Sequence, residues 1–197
     1  MTQLADHLTS GGLVILAGDE LRGGDLDLAA AASRITPEAI AFMARNGRGL
    51  ICLGLSAGRA AALGIEPQQR DGHGTSGRPF GQSIEAKEGV TTGISAADRA
   101  TTIRIAVDPA HGPDDLVSPG HVFPLIANPA GPAVRLSTLE AGLEIVRSCG
   151  LGEGVVLCAM LREDGSMARI GELTDWAAEQ GIPMIDIAQW VRGQGDK

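Results

Sequence analysis

Aromatic residues are scarce in this chain. It has no tyrosine, and Phe and Trp together bring aromatics to only 3% of 197 residues. A core must therefore be assembled from Ala, Val, Ile and Leu, within an apolar content of 44%. Cysteine is also sparse: Cys52, Cys149 and Cys158 match no zinc spacing, and an odd count argues against a disulfide framework, so a reducing compartment is expected. No apolar run reaches membrane-spanning length. Residues Met1 to Ser10 contain Asp6 and no apolar centre, unlike a signal peptide. A cytoplasmic protein with no membrane contact is the expectation. Polybasic runs are absent and the formal net charge is -8, which disfavours nucleic acid as a partner. An anionic substrate would need a local group of arginines or backbone amides.

Glycine, by contrast, is abundant, with 28 residues, too many for a helical bundle. Short stretches at Leu13–Leu16, Leu50–Leu53, Gly154–Met160 and Pro183–Ile185 read as strands, and Ser83–Ala86 is a candidate strand. Helices are expected from Thr36-Pro37 to about Arg45, over Ser56–Leu63, Ser95–Arg104, Thr138–Ser148 and Glu172–Gln180, and finally over Ile187–Val191. All but the last have a start or stop signal, such as the capping hydroxyls of Thr36 and Ser95 or the stops at Gly64 and Gly181. Glu66–Pro79 reads as a mobile polar loop. Alternating strands and helices predict an α/β fold, a single domain over residues 1–197 around a mixed sheet.

Three motifs allow a chemical and a structural reading. Gly54-Leu55-Ser56-Ala57-Gly58 fits a nucleophile elbow, with Ser56 served by His111 or His121 and by Asp98 or Asp108. It equally fits a helix capped by Ser56, and a five-residue pattern in a glycine-rich chain is weak support for a hydrolase. Arg22-Gly23-Gly24-Asp25-Leu26-Asp27 follows the first strand, so it is either a ligand-holding loop or a solvated turn. Thr91-Thr92-Gly93-Ile94-Ser95 leads into a helix and could cradle a phosphate or simply cap that helix. His7, His73, His111 and His121 have no metal spacing; His121, beside an apolar run, reads as a hydrogen-bonded structural residue.

Glu85-Ala86-Lys87-Glu88-Gly89-Val90-Thr91-Thr92-Gly93-Ile94-Ser95-Ala96-Ala97-Asp98-Arg99 resembles a signature stretch of the 3,4-dihydroxy-2-butanone 4-phosphate synthase family. So does Ser118-Pro119-Gly120-His121-Val122-Phe123-Pro124-Leu125, with further similarity at Gly47–Leu53, Val155–Cys158 and Asp164–Arg169. The resemblance implies a compact three-layer α/β fold. It also implies a homodimer with sites near the interface, and a magnesium-dependent conversion of ribulose 5-phosphate to dihydroxybutanone phosphate and formate. In that reaction the metal polarises the sugar oxygens and steadies an enediolate.

Matched residue by residue, Arg22, Asp27 and Arg135 stand at the family's substrate-binding positions, and Thr91 and Thr92 lie in its signature. The metal-binding acid is replaced by Gly23, the next acid by Asp25, the metal-binding histidine by Thr138 and a catalytic acid by Ala159. Asp19, Glu20 and Asp25 are nearby acids for a relocated site. The resemblance therefore implies a diverged member with no metal cofactor. Asp25, Asp27 and Thr138 are its candidate catalytic residues; Arg22, Asp27, Thr91, Thr92 and Arg135 would bind a small phosphorylated or polyol-like substrate. A non-catalytic binding protein on the same scaffold is the alternative.

Overall fold

The computed structural model describes residues 2–68 and 77–195. Seven strands form one sheet: β1 Val14–Asp19, β2 Asp25–Ala31, β3 Arg48–Leu55, β4 Ile84–Ala86, β5 Leu116–Ile126, β6 Gly154–Met160 and β7 Met184–Asp186. Their order is β4-β5-β3-β6-β2-β1-β7. The sheet is mixed: β1 with β7 and β3 with β5 run parallel, and the remaining pairs antiparallel. Seven α-helices accompany it among the described residues: α1 Thr2–Thr9, α2 Pro37–Phe42, α3 Ala57–Ala62, α4 Ala96–Val107, α5 Thr138–Ser148, α6 Ile170–Glu179 and α7 Ile187–Gly195. None of them is long and apolar enough to cross a membrane.

Alternation along the strands sorts the core into two halves. Leu26, Leu28 and Ala30 of β2 pack with Ile51, Leu53, Val156 and Cys158 toward α2, α4 and α6. Ala29 and Ala31 pack with Cys52, Leu125, Leu157 and Leu16 toward α1, α5 and α7. The result is a three-layer sandwich with aliphatic side chains on both inner faces. Phe42 and Trp176 meet at a ring separation of 6.2 Å on the margin of the first half. The few aromatics thus sit at an edge rather than in the centre.

Local signals act as expected at most element ends. The Thr36, Ser56 and Ser95 hydroxyls accept from the amides of Ala39, Arg59 and Asp98, each three residues on. α5 and β6 occupy the predicted ranges. Helix α2 stops at Phe42, and Met43–Gly47 widens into a π turn. Gly47 closes that turn because a Cβ there would lie 2.7 Å from the Cys158 sulfur. Gly120 on β5 is still tighter, since a Cβ would lie 2.1 Å from the carbonyl oxygen of Ile84.

Two strands depart from the sequence reading. Residues Asp25–Ala31 form a strand buried along its whole length, although Arg22–Asp27 reads as a charged loop. Residues Leu116–Ile126 form an eleven-residue strand despite Pro119 and Pro124, in a sheet where proline normally marks an edge or a bulge. Its pairing with β4 is interrupted between Ile84 and Glu85, so Pro119 falls where that ladder is already irregular, whereas Pro124 sits in regular parallel register opposite Leu53 of β3. Helix α1 was not expected either. Of the Glu66–Pro79 loop, residues 69–76, His73 among them, lie outside the described residues.

Candidate functional site

Three aspartates meet where β1 turns into β2. Asp19 ends β1 opposite Asp25, and Asp27 lies opposite Ala159 of β6. Odd-numbered β2 residues face the α5 side, so Asp27 meets Thr138, the first residue of α5. Asp27 is fully buried, Asp19 and Thr138 are 1% exposed and Asp25 is 9% exposed. Carboxylates this deep persist only if they are paired.

Arginines supply the pairing. Arg22 sits in a short 3-10 turn, Glu20–Arg22, and its Nε donates to Asp19 Oδ2 at 2.9 Å. Its Nη2 pairs with Asp27 Oδ2 and donates to Thr138 Oγ1 at 3.3 Å. Arg78 reaches Asp27 from the other side, and its Nη2 donates to both carboxylate oxygens at 2.9 Å. Thr138 Oγ1 donates its one proton to Asp27 Oδ2 at 2.6 Å, and its amide donates to Asp19 at 3.2 Å. Arg169 Nη1 lies 3.3 Å from Asp25 Oδ1 and donates to the Gly23 carbonyl at 3.0 Å. Three arginines thus face three aspartates. Burial is the largest single influence on the Arg78 guanidinium and pulls it down, but the charge and hydrogen bond of Asp27, with the charges of Cys52 and Asp19, together outweigh it and hold the group above the ordinary arginine range. One atom stands out: Asp19 Oδ1 is buried without a hydrogen-bond partner among the described residues.

The neighbouring thiols are not nucleophiles. Cys52 lies 3.9 Å from Arg78, yet burial raises it to about 11. Cys158, on the far face, is raised to about 12 by burial. Both stay protonated near neutral pH.

Arg22, Asp25, Asp27 and Thr138 therefore converge. Gly23 lies beside them with φ of 68° and open space around the position of a Cβ. Arg135 belongs to a second group. It pairs with buried Glu140 at 2.8 Å and donates to the Gly77 carbonyl at 2.8 Å. It lines a cavity of about 400 Å³ with Pro79, Asn128 and Glu140. Thr91 and Thr92 stand on the β4–α4 loop, with no hydrogen bond to either group among the described residues. The Thr91 hydroxyl and amide and the Gly93 amide all donate to buried Asp98, at 2.8, 3.2 and 3.0 Å. The Thr91 hydrogen bond leads the contributions that hold the Asp98 carboxyl below its usual range. The amide nest that reads as a phosphate cradle is thus filled by the protein's own carboxylate.

The nucleophile-elbow reading fails on geometry. Ser56 caps α3, His111 turns to Asp115 at 3.3 Å, and His121 Nδ1 meets Glu85 Oε2 at 2.7 Å. Neither histidine is hydrogen-bonded to Ser56. His121 is hydrogen-bonded, as expected, but half exposed. It shares a sheet face with Asp27 at a distance of three strand spacings, or about 14 Å. The sequence reading missed Arg78, Arg169 and the Glu85 partner of His121. For Arg78 the only available signal was charge balance: acids buried on β2 need more than one arginine.

The cation implied by the resemblance does not fit these side chains. Both Asp27 oxygens already accept from guanidinium groups, and a magnesium ion needs near-octahedral oxygen ligands. Of the acids available for relocation, Asp19 and Asp25 are committed to arginines and Glu20 is exposed. No group of three His, Cys, Asp or Glu side chains able to hold a metal occurs among the described residues.

A sequence profile for 3,4-dihydroxy-2-butanone 4-phosphate synthase matches residues 2–192. The protein of that name from Cupriavidus pinatubonensis is 41% identical over 191 residues, covering 97% of this chain and 86% of the relative. The one from Pseudomonas aeruginosa is 43% identical over 190 residues, covering 96% of this chain and 52% of the relative. The chain spans about half the length of several relatives it matches and most of others. A crystal structure of a 3,4-dihydroxy-2-butanone 4-phosphate synthase in complex with two magnesium ions superposes with a TM-score of 0.92 at 29% identity, covering 100% of this chain and 96% of that one. With the profile match and these identities, the chain belongs to the 3,4-dihydroxy-2-butanone 4-phosphate synthase family.

Proposed function

We propose that this chain is an enzyme with altered, metal-independent chemistry on a small phosphorylated or polyol-like substrate. The carrying observation is the buried arginine–aspartate cluster at the β1–β2 junction. Arg22 and Arg78 keep N–H groups beyond those spent on Asp27, and Asp19 Oδ1 is an acceptor without a donor among the described residues. Such unequal pairing is costly in a purely structural cluster and useful in one that receives hydroxyl and oxyanion groups. Asp27 serves as the counter-ion that positions both guanidinium groups. Asp25 is the most open of the three carboxylates and is the group suited to accept a proton beside a substrate carbonyl. Arg22 and Arg78 would steady the resulting oxyanion. The alternative, a non-catalytic binding protein, draws support from the saturation of Asp27.

Phosphate or ribulose 5-phosphate should raise the melting temperature by mass action. Arg22→Lys, which keeps the charge but loses the fork, should remove most of that shift. No shift in the unaltered protein, or an equal one in the variant, would place the ligand elsewhere. A cytoplasmic homodimer is part of this proposal. Light scattering at micromolar concentration should give twice the mass of one chain, and a clean monomer would remove that part.

A further inference from the structure

We propose that Arg78 is a built-in cation that takes the place of a divalent ion beside Asp27 at the β1–β2 junction. Asp19 and Asp27 both converge on the Thr138 hydroxyl, at 3.2 and 2.6 Å. Two buried carboxylates this close repel one another unless positive charge lies between or beside them. Among the described cations, Arg22 alone touches both. A single guanidinium leaves one negative charge uncompensated, and Arg78 supplies the second cation by pairing with both oxygens of Asp27.

Arg78 arrives from outside the cluster's own segment. It precedes Pro79 and Phe80, whose backbones bond to β5 through the amide of Ile126 on the Pro79 carbonyl and a bridge between Phe80 and Leu125. The guanidinium is therefore anchored by the sheet, with its side chain only 12% exposed. Its Nη1 faces the Cys52 sulfur at 3.9 Å, a weak acceptor that leaves most of that donor's capacity unused. A guanidinium so held gives a substrate oxygen fixed positive charge without a metal's exchange or pH-dependent loading. Deep in the cluster, Asp19 Oδ1 has no hydrogen-bond partner among the described residues. Withdrawing Arg78 would free Asp27 Oδ1 as a second oxygen for a small cation.

The inference rests on the metal-independent reading above but is tested apart from turnover. The probe is Mn²⁺, followed by the loss of its free-ion paramagnetic resonance signal. The unaltered protein should show no saturable binding at this site. Arg78→Ala and Arg78→Gln should each bind Mn²⁺ at least about tenfold more tightly, and adding Asp27→Asn should abolish the gain. Arg78→Lys, which keeps the charge, should behave as the unaltered protein. Circular dichroism shows which variants are folded, and glutamine keeps the side-chain length in case alanine does not fold. Saturable binding by the unaltered protein that Asp27→Asn removes would overturn the proposal. So would a folded neutral variant that binds no more tightly. A gain of Mn²⁺ binding without any sugar phosphate shift in the unaltered protein would keep the role of Arg78 and sink the enzyme reading.

Discussion

Supplied with ribulose 5-phosphate and magnesium, this protein is expected to release formate well below about 1 per second, under the ordinary enzyme range. That reaction abstracts a proton next to a carbonyl, rearranges the carbon skeleton and expels formate. Each charged intermediate needs a positioned cation or proton donor. The resemblance assigns metal-binding or catalytic side chains to the positions of Gly23, Thr138 and Ala159. Gly23 has no side chain. Thr138 spends its hydroxyl proton on Asp27, and Ala159 pairs beside Asp27 with only a methyl group. Loss of one electrostatic stabiliser commonly costs about a hundredfold to a thousandfold in rate. Three acting together leave little, although such losses are not additive. A measured rate of about 1 per second or more would refute the altered-chemistry proposal.

The complementary gain of function is the triple change Gly23→Glu, Thr138→His and Ala159→Glu. The structure adds two conditions. Gly23 has φ of 68°, so a glutamate there is strained even though space for a Cβ is open. Arg78 would still hold Asp27, so metal-dependent formate release should be larger when Arg78→Ala is added to the triple change.

Asp27→Ala is expected to produce a large stability loss. It leaves Arg22 and Arg78 facing each other, with side chains 10% and 12% exposed. Breaking a buried pair by removing one partner costs about 3–5 kcal/mol. For a chain of this size that is a fall in melting temperature of roughly 10 °C. Asp27→Asn should cost less, because the amide oxygen still accepts one guanidinium bond. Arg147→Ala, which breaks an ion pair with Glu153 whose members are 37% and 49% exposed, is the control and should cost at most about 1 kcal/mol. Urea denaturation checks all three. An Asp27→Ala loss no larger than that control would mean that the cluster is effectively solvated.

Much of this architecture was legible in the residues. Capping hydroxyls at Thr36, Ser56 and Ser95, the aliphatic run of β6 and the amphipathic pattern of α5 are local signals. They work because a helix end or a buried strand carries its requirements within a few residues. The family resemblance likewise rests on contiguous stretches, and it pointed to Arg22, Asp27 and Thr138, which the structure places in mutual contact.

Other features depended on contacts between distant segments. Arg22–Asp27 reads as a charged loop, and Asp and Ala are both depleted in strands. Asp25–Ala31 becomes a central strand because β1 and β6 flank it and arginines neutralise its acids. The hydroxyls and glycines at Thr91–Ser95 suggest an anion cradle, until Asp98 folds back one helical turn later and takes the donors. Arg78 is one arginine at the end of a glycine-rich loop, 51 residues from Asp27. Nothing in its neighbours marks it. The sequence by itself determined the family, the alternating layers and which acids stand near the first strand. Only the tertiary structure decided which cations face those acids, because a buried charge is compensated through space by whichever segments the fold brings within hydrogen-bond reach.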